Sequence, residues 1–315
     1  MRYIEVPGAK RALSQMVLGA EYFYDSDDVF RHALLDQWLD HGGNAIDTAA
    51  IYATRDGEPQ SERALGRWLA SRGNRDEVVI VTKCCHPWPD VPRRVSAAMM
   101  AADVAGSLAA LQTDYLDILL LHRDDPAVPA SEVIDWLNEH KDAGRIHAFG
   151  ASNWSLARYR EANDWAAANG KTGFSLVSNY AALAEMVKPL WPGSLHIDSE
   201  YAAWLKSSGA PNLSWSGLSH GFFSGRFNPA RQDQQDMVGA FYTDANWARL
   251  ARAQEFGKER GLSASQVALA WALNRDYTAL AAFWVGNFAE FREALTMSAV
   301  ELSADEMDWL AAGHH

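Results

Sequence analysis

The chain is short of cysteine, of positive charge and of long apolar runs. Its only two cysteines among 315 residues, Cys84 and Cys85, are adjacent, so no disulfide framework holds the fold. That usage suits a reducing compartment, and a cytoplasmic location is expected. Cys84-Cys85-His86 also lacks the spacing of a zinc site, so no metal is expected. Lys and Arg number 28 against 40 Asp and Glu, a net charge of −12. So acidic a chain lacks the cations that displace counterions from nucleic acid, and none is expected as a partner. A small anionic ligand in a local basic pocket stays compatible with this balance. No stretch reaches the roughly 18 uninterrupted apolar residues of a membrane span, so no membrane partner is expected. The first seven residues hold one Arg and no apolar run, so no signal peptide is expected. Two nucleotide signatures are missing as well. No G-x-G-x-x-G follows the first strand pattern, and no G-x-x-x-x-G-K-[ST] occurs. Nothing in the sequence sets an oligomeric state.

What is present is alternation. Short apolar runs at Met16–Gly19, Asn44–Asp47, Val78–Lys83, Ile118–His122, Ala148–Asn153, Leu176–Asn179, Asn212–Ser216 and Ala281–Val285 read as eight strands. Helical patterns separate them at Asp27–His41, Ser61–Arg72, Val91–Leu111, Ser131–Asp142, Ser155–Asn169, Ser199–Ser208, Trp247–Arg260 and Ser263–Asn274. Two more, Ala289–Ser298 and Ser303–Ala311, follow the last strand. Ser61 and Ser131 are expected as N-caps, and Gly144 as a C-terminal glycine. Eight β-α units in this length predict a (β/α)8 TIM barrel, residues 1–315 as one domain, with a short N-terminal hairpin and extra C-terminal helices. His140 and His147 read as surface residues.

A barrel carries its chemistry at the C-terminal ends of its strands. Three consecutive ends read Asp47, Lys83 and His122, the next reads Ser152-Asn153, and Tyr52 lies five residues beyond Asp47. A phenol is a slow proton donor at neutral pH, and a nearby ammonium is expected to lower its pKa. A carboxylate would keep that ammonium charged, and an imidazole would orient a carbonyl oxygen. Together the four suit protonation of an alkoxide as hydride reaches carbon.

At these residues the chain resembles the aldo-keto reductases. The blocks are His41-Gly42-Gly43-Asn44-Ala45-Ile46-Asp47-Thr48-Ala49-Ala50-Ile51-Tyr52, Ser61-Glu62-Arg63-Ala64-Leu65-Gly66, Val81-Thr82-Lys83, Leu121-His122-Arg123 and Gly150-Ala151-Ser152-Asn153-Trp154. A further block runs from Leu213-Ser214-Trp215-Ser216 to Gly221-Phe222-Phe223-Ser224-Gly225-Arg226. The resemblance implies reversible reduction of an aldehyde or ketone to an alcohol. Tyr52 would be the general acid, Lys83 and Asp47 would tune it, and His122 would position the carbonyl. It implies NADP(H), with Ser152 and Asn153 on the carboxamide and Trp215 stacked on nicotinamide. Ser216, Leu218 and Gly221 would wrap the pyrophosphate.

Two departures from the family pattern bear on the coenzyme. Leu176-Val177-Ser178-Asn179-Tyr180 has Ser178 or Tyr180 where the family has Gln. After strand eight, Gly286-Asn287-Phe288-Ala289-Glu290 offers only Arg292 nearby as a cation for a 2′-phosphate, which leaves NAD(H) as the alternative. The expected partner is a small carbonyl or alcohol substrate. Tyr22, Trp88, Trp154 and Arg123 are candidates to meet it, Arg123 either as a structural residue or against an anionic group. With the last helix pattern ending near the last residue, an open cleft is expected. Two other readings remain: a slow redox-sensing accessory subunit of the same fold, and a barrel hydrolase or aldolase using Lys83 as a Schiff base.

Overall fold

The computed structural model describes residues 1–88 and 91–313; His314 and His315 lie outside it. A hairpin, β1 (Tyr3–Ile4) against β2 (Leu13–Ser14), opens the chain. Ser14 and Asn44 tie it to the N-terminal end of the second barrel strand, through Ser14 N–H to Asn44 Oδ1 at 2.7 Å and Ala45 N–H to Ser14 Oγ at 3.1 Å.

Strand and helix then alternate. The first half reads β3 (Met16–Gly19), α1 (Asp28–Asp40), β4 (Ala45–Asp47), α2 (Ser61–Arg72), β5 (Val79–Cys84), α3 (Ala97–Leu111), β6 (Leu116–Leu121), α4 (Ala130–Asp142), β7 (Ile146–Ser152), α5 (Leu156–Ala168) and β8 (Val177–Ser178). The second reads α6 (Ser199–Ser208), β9 (Asn212–Ser214), α7 (Gln235–Phe241), α8 (Asp244–Arg260), α9 (Ala264–Leu273), β10 (Ala279–Phe283), α10 (Phe288–Leu295) and α11 (Ala304–Ala312). Eight parallel strands close into a barrel in the order β10-β3-β4-β5-β6-β7-β8-β9. The barrel strands are apolar along nearly their whole length because both faces are buried, one by the barrel interior and one by helices. Leu119, Leu120 and Leu121 on β6, for example, are all fully buried.

The chain divides into two compact units, Tyr3–Ser178 and Asn179–His315 with the first two residues. The first contains β3 to β8 and, as shown below, the whole Asp-Tyr-Lys-His set. The second has its own apolar core, in which Phe222, Phe241, Ala253 and Val267 are buried.

Several element boundaries differ from expectation, each for a local reason. The helix expected from Val91 begins at Ala97. Pro92 cannot sit inside it, and Ser96 caps it by accepting from Met99 N–H at 3.3 Å. Ser131 is not a cap, since α4 starts after Pro129. Ser61 is not one either: its hydroxyl meets Thr48 Oγ1 at 2.8 Å and donates to Ala20 O at 2.7 Å, binding α2 to the ends of β3 and β4. Gly144 does close α4, at φ +72°. His140 is buried and accepts from Arg145 Nε at 3.0 Å, so it is not a surface residue. Helix α7 carries no signal that separates it from the loop before it.

Gly66 sets how closely α2 approaches the end of α3. A Cβ there would overlap the Ala110 carbonyl oxygen and crowd Leu111. Gly66→Ala is therefore expected to cost about 1–3 kcal/mol by overpacking, despite a gain of about 1 kcal/mol in helix propensity. Gly106→Ala on the exposed face of α3, where a Cβ meets nothing within 4 Å, should stabilise instead. Thermal unfolding of the two variants checks the opposite signs.

Candidate active site

The expected strand-end residues come together within the first unit. Strand β4 ends on Asp47 and β5 carries Lys83 in register beside Leu120 of β6. His122 follows β6 directly. Tyr52 is placed by a turn after β4, with its amide donating to Ala49 O at 3.0 Å. Lys83 is 1 % exposed, and its ammonium donates to Asp47 Oδ1 at 2.7 Å, Thr48 O at 2.9 Å and Tyr52 Oη at 3.2 Å. Those three contacts match the three protons of an ammonium. One of them falls on the phenol oxygen, so the phenol's own proton is directed elsewhere. The rings of Tyr52 and His122 lie edge to face, 5.6 Å between centroids.

Burial governs the protonation of all four groups. It lowers Lys83 and raises Asp47, and the ion pair between them opposes both shifts. It pushes His122 well below the usual imidazole range, helped by the Lys83 and Arg123 charges. The imidazole is therefore neutral at pH 7, and its Nδ1 is buried without a partner. For Tyr52 the expected direction is reversed. Burial, then the Asp47 and Glu21 charges, raise the phenol well above its usual value. The Arg123 charge opposes this, and the net direction stays upward.

Glu21 was not singled out from the sequence. It directly follows the first barrel strand, where Ala20 N–H donates to Asp47 O at 2.8 Å. Burial, outweighing the favourable Lys83 charge, raises its carboxyl to about 7. Only its position one residue beyond Ala20 at a strand end marks it. Glu62 is a second such carboxyl, accepting from Thr82 Oγ1 at 2.6 Å and raised to about 7 by burial.

The loop after Lys83 leaves the barrel sharply. Cys85 takes φ +61°, and its amide donates to Asp103 Oδ2 at 2.7 Å. Arg94 holds the other oxygen of Asp103 at 2.6 Å.

At the end of β7, Ser152 Oγ donates to Ser178 O at 2.9 Å, and Asn153 Nδ2 donates to Ser152 Oγ at 2.9 Å. The Ser178 hydroxyl is buried with no partner, a polar atom suited to an external amide. Asn153 has φ +60°. The next residue, Trp154, is fully buried, with Phe174 at 5.1 Å between ring centroids. Trp154 thus belongs to the core, against the expectation that it meets substrate. Tyr22 is 37 % exposed, and Trp88 is part-buried and pairs with Val91.

In the second unit, Tyr180 donates to Ala184 O at 2.6 Å, and its ring lies 5.2 Å from Trp215. Ser216 Oγ accepts from His220 N–H at 3.1 Å, and Leu218 O accepts from Gly221 N–H at 2.9 Å. Gly221 has φ +80° and lies under Arg226, an exposed cation bound to Ser224 Oγ at 2.9 Å. Arg226 ends the Gly221–Arg226 stretch, and nothing in the sequence alone marks it for a role. Arg292 is exposed and sits in the last turn of α10 rather than at its start. The start is already occupied: Asn287 Oδ1 accepts from the Ala289 and Glu290 amides at 2.9 and 3.0 Å, and Glu290 accepts from Gly286 N–H at 2.8 Å.

The chain is similar to norsolorinic acid reductase stcV of Emericella nidulans, 29% identical over 312 residues that cover 94% of this chain and 75% of that one. It is similar to the oxidoreductase YrpG of Bacillus subtilis, 25% identical over 97% of this chain and 93% of that one. Among solved structures, an aldo/keto reductase from Klebsiella pneumoniae in complex with NADP and acetate superposes with a TM-score of 0.72 at 23% identity, covering 98% of this chain and 95% of that one. The thermostable aldo-keto reductase Tm1743 superposes with a TM-score of 0.76 at 20% identity, over 99% of each chain. The model of the aldo/keto reductase family matches residues 15–312. The chain belongs to that family and is an NAD(P)-dependent oxidoreductase.

Proposed function

We propose that this chain reduces an aldehyde or ketone to an alcohol, with Tyr52 giving the proton. The observation that carries the reading is the set of three contacts made by Lys83. Because the ammonium donates to the phenol oxygen, the phenol hydrogen is free for a carbonyl oxygen. As that oxygen becomes an alkoxide, Tyr52 delivers its proton, and Lys83 stabilises the phenolate left behind. Asp47 holds Lys83 charged in a buried place. His122, neutral, offers a ring N–H to the same carbonyl oxygen and fixes its direction.

A nicotinamide coenzyme supplies the hydride when bound. By likeness to the family, Ser152 and Asn153 hold its carboxamide, and the unpartnered Ser178 hydroxyl stands in for the family's Gln. Trp215 offers a ring for nicotinamide. Ser216, Leu218 and Gly221 follow the pyrophosphate, where Arg226 adds a cation.

Tyr52→Phe is expected to lower kcat about 10²–10⁴-fold while coenzyme affinity, read by fluorescence titration, changes little. A variant retaining more than about a tenth of kcat removes Tyr52 from the role of acid.

Glu21 makes stability depend on pH with a defined sign. Its folded pKa of about 7 exceeds the ordinary value of 4.5. Between these values the unfolded chain releases its proton first, so stability falls as pH rises and is lowest above 7. Glu21→Gln should raise Tm more at pH 8 than at pH 5. An equal rise at both pH values contradicts the assignment.

The α10 start bears on coenzyme choice. Its first amides are committed to Asn287, and Glu290 adds a carboxylate on Gly286 N–H rather than a cation for a 2′-phosphate. NADPH and NADH should therefore differ by less than about a hundredfold in kcat/KM with one shared carbonyl. A larger preference for NADPH means that another cation reaches the phosphate.

A further inference from the structure

Arg123 is a cation without a counterion. It is 8 % exposed, and a guanidinium keeps its charge even when buried. Of its five N–H donors, one is committed, Nη1 to His122 O at 2.8 Å. The surrounding carboxylates serve other bases. Asp47 holds Lys83 at 2.7 Å, Asp103 holds Arg94 at 2.6 Å, Asp124 holds Arg158 at 3.1 Å and Asp125 holds Arg93 at 3.7 Å. Among the described residues no carboxylate lies within ion-pair distance of Arg123. An unpaired buried charge is costly, and a purely structural arginine would have kept one of these partners.

The guanidinium is also reachable and near the reacting groups. It borders a cleft of about 200 Å³ that is also lined by Arg94, Arg93 and the carboxylates Asp124 and Asp125, which pair with Arg158 and Arg93. Its charge acts on Tyr52, Lys83 and His122 alike. Within this neighbourhood Lys83 is neutralised by Asp47, so Arg123 supplies the one uncompensated positive charge among the described residues. One such cation, with the Glu21 carboxyl also acting on Tyr52, matches a monoanion better than a phosphate dianion. Its planar fork matches a carboxylate in bidentate fashion.

We infer that Arg123 receives a carboxylate on the substrate, so that the preferred substrates are aldehydes or ketones bearing an acid group. This rests on the reduction proposed above, and it goes further by naming the class. Arg123 would be a specificity-determining residue: it holds the far end of the molecule while Tyr52 and His122 meet the carbonyl.

The test compares acids with neutral isosteres. The 3- and 4-carboxybenzaldehydes and the matching formylbenzamides are reduced at fixed ionic strength by the wild type, Arg123→Lys and Arg123→Met. Benzoate and benzamide binding is measured by calorimetry on the same three proteins. The wild type should favour acid over amide by about tenfold or more, in kcat/KM and in Kd. Arg123→Lys should retain part of that ratio, and Arg123→Met should bring it near one. A residue that merely supported His122 would slow acid and amide equally and leave the ratio alone. A wild type that reduces both aldehydes without preferring the acid overturns this inference and leaves the reduction standing. The same holds for an Arg123→Met that keeps the ratio. Failure to reduce any aldehyde, with benzoate binding still dependent on Arg123, overturns the reduction and leaves the carboxylate site. Should Arg123→Met not fold, the wild-type acid-to-amide ratios and Arg123→Lys decide.

Discussion

The buried contact between Lys83 and Asp47 is the constraint on which the rest of the site depends. A lysine this deep keeps its proton only because a carboxylate lies at 2.7 Å. Removing either partner of such a pair would leave one charge stranded, at a cost of about 3–5 kcal/mol. Both groups sit at ends of neighbouring parallel strands, so the register of β4 and β5 fixes their separation. The third ammonium proton then has one acceptor left, the Tyr52 oxygen. The orientation of the phenol follows from the completion of that coordination. Barrel geometry is in this way converted into the direction of a single O–H bond.

The helices contribute by tying strand ends from behind. Ser61 binds β3 and β4 to α2, while the next residue, Glu62, hydrogen-bonds Thr82 beside Lys83. Gly66, one turn further on, lets α3 close in. One helix start therefore steadies three successive strands that carry Glu21, Asp47 and Lys83. The two carboxyls raised to about 7, Glu21 and Glu62, mark where this arrangement buries acids away from water.

Much of this was legible in the sequence, and the reasons are specific. Strands buried on both faces show as apolar runs, so all eight were found to within a few residues. Asp47, Lys83, His122, Ser152 and Asn153 showed as polar residues ending such runs, and Tyr52 by its offset from Asp47. Trp154 was misplaced because the backbone reverses at Asn153, a left-handed conformation that residue type permits without announcing. Ser61 and Ser131 looked like caps because composition cannot separate a capping hydroxyl from one that bridges to another element. The phenol's direction of shift is not legible in the spacing, because it depends first on how deeply the ring is buried and then on the nearby Asp47 and Glu21 charges. Arg123 was visible as a residue, but its lack of a partner belongs to the fold alone.

The kink at Cys85 has a consequence for how this chain can change over time. A non-glycine residue at φ +61° carries local strain, and here it is held by the Asp103 carboxylate, which Arg94 grips in turn. The clamp joins the end of the lysine strand to α3 through Asp103, and to the following segment through Arg94. Substitutions at the described positions of that segment other than Arg94 leave both contacts of the clamp in place. The lysine strand and the segment that follows it can thus drift independently. One side of the clamp keeps the three contacts of Lys83 in place, and the other is open to change.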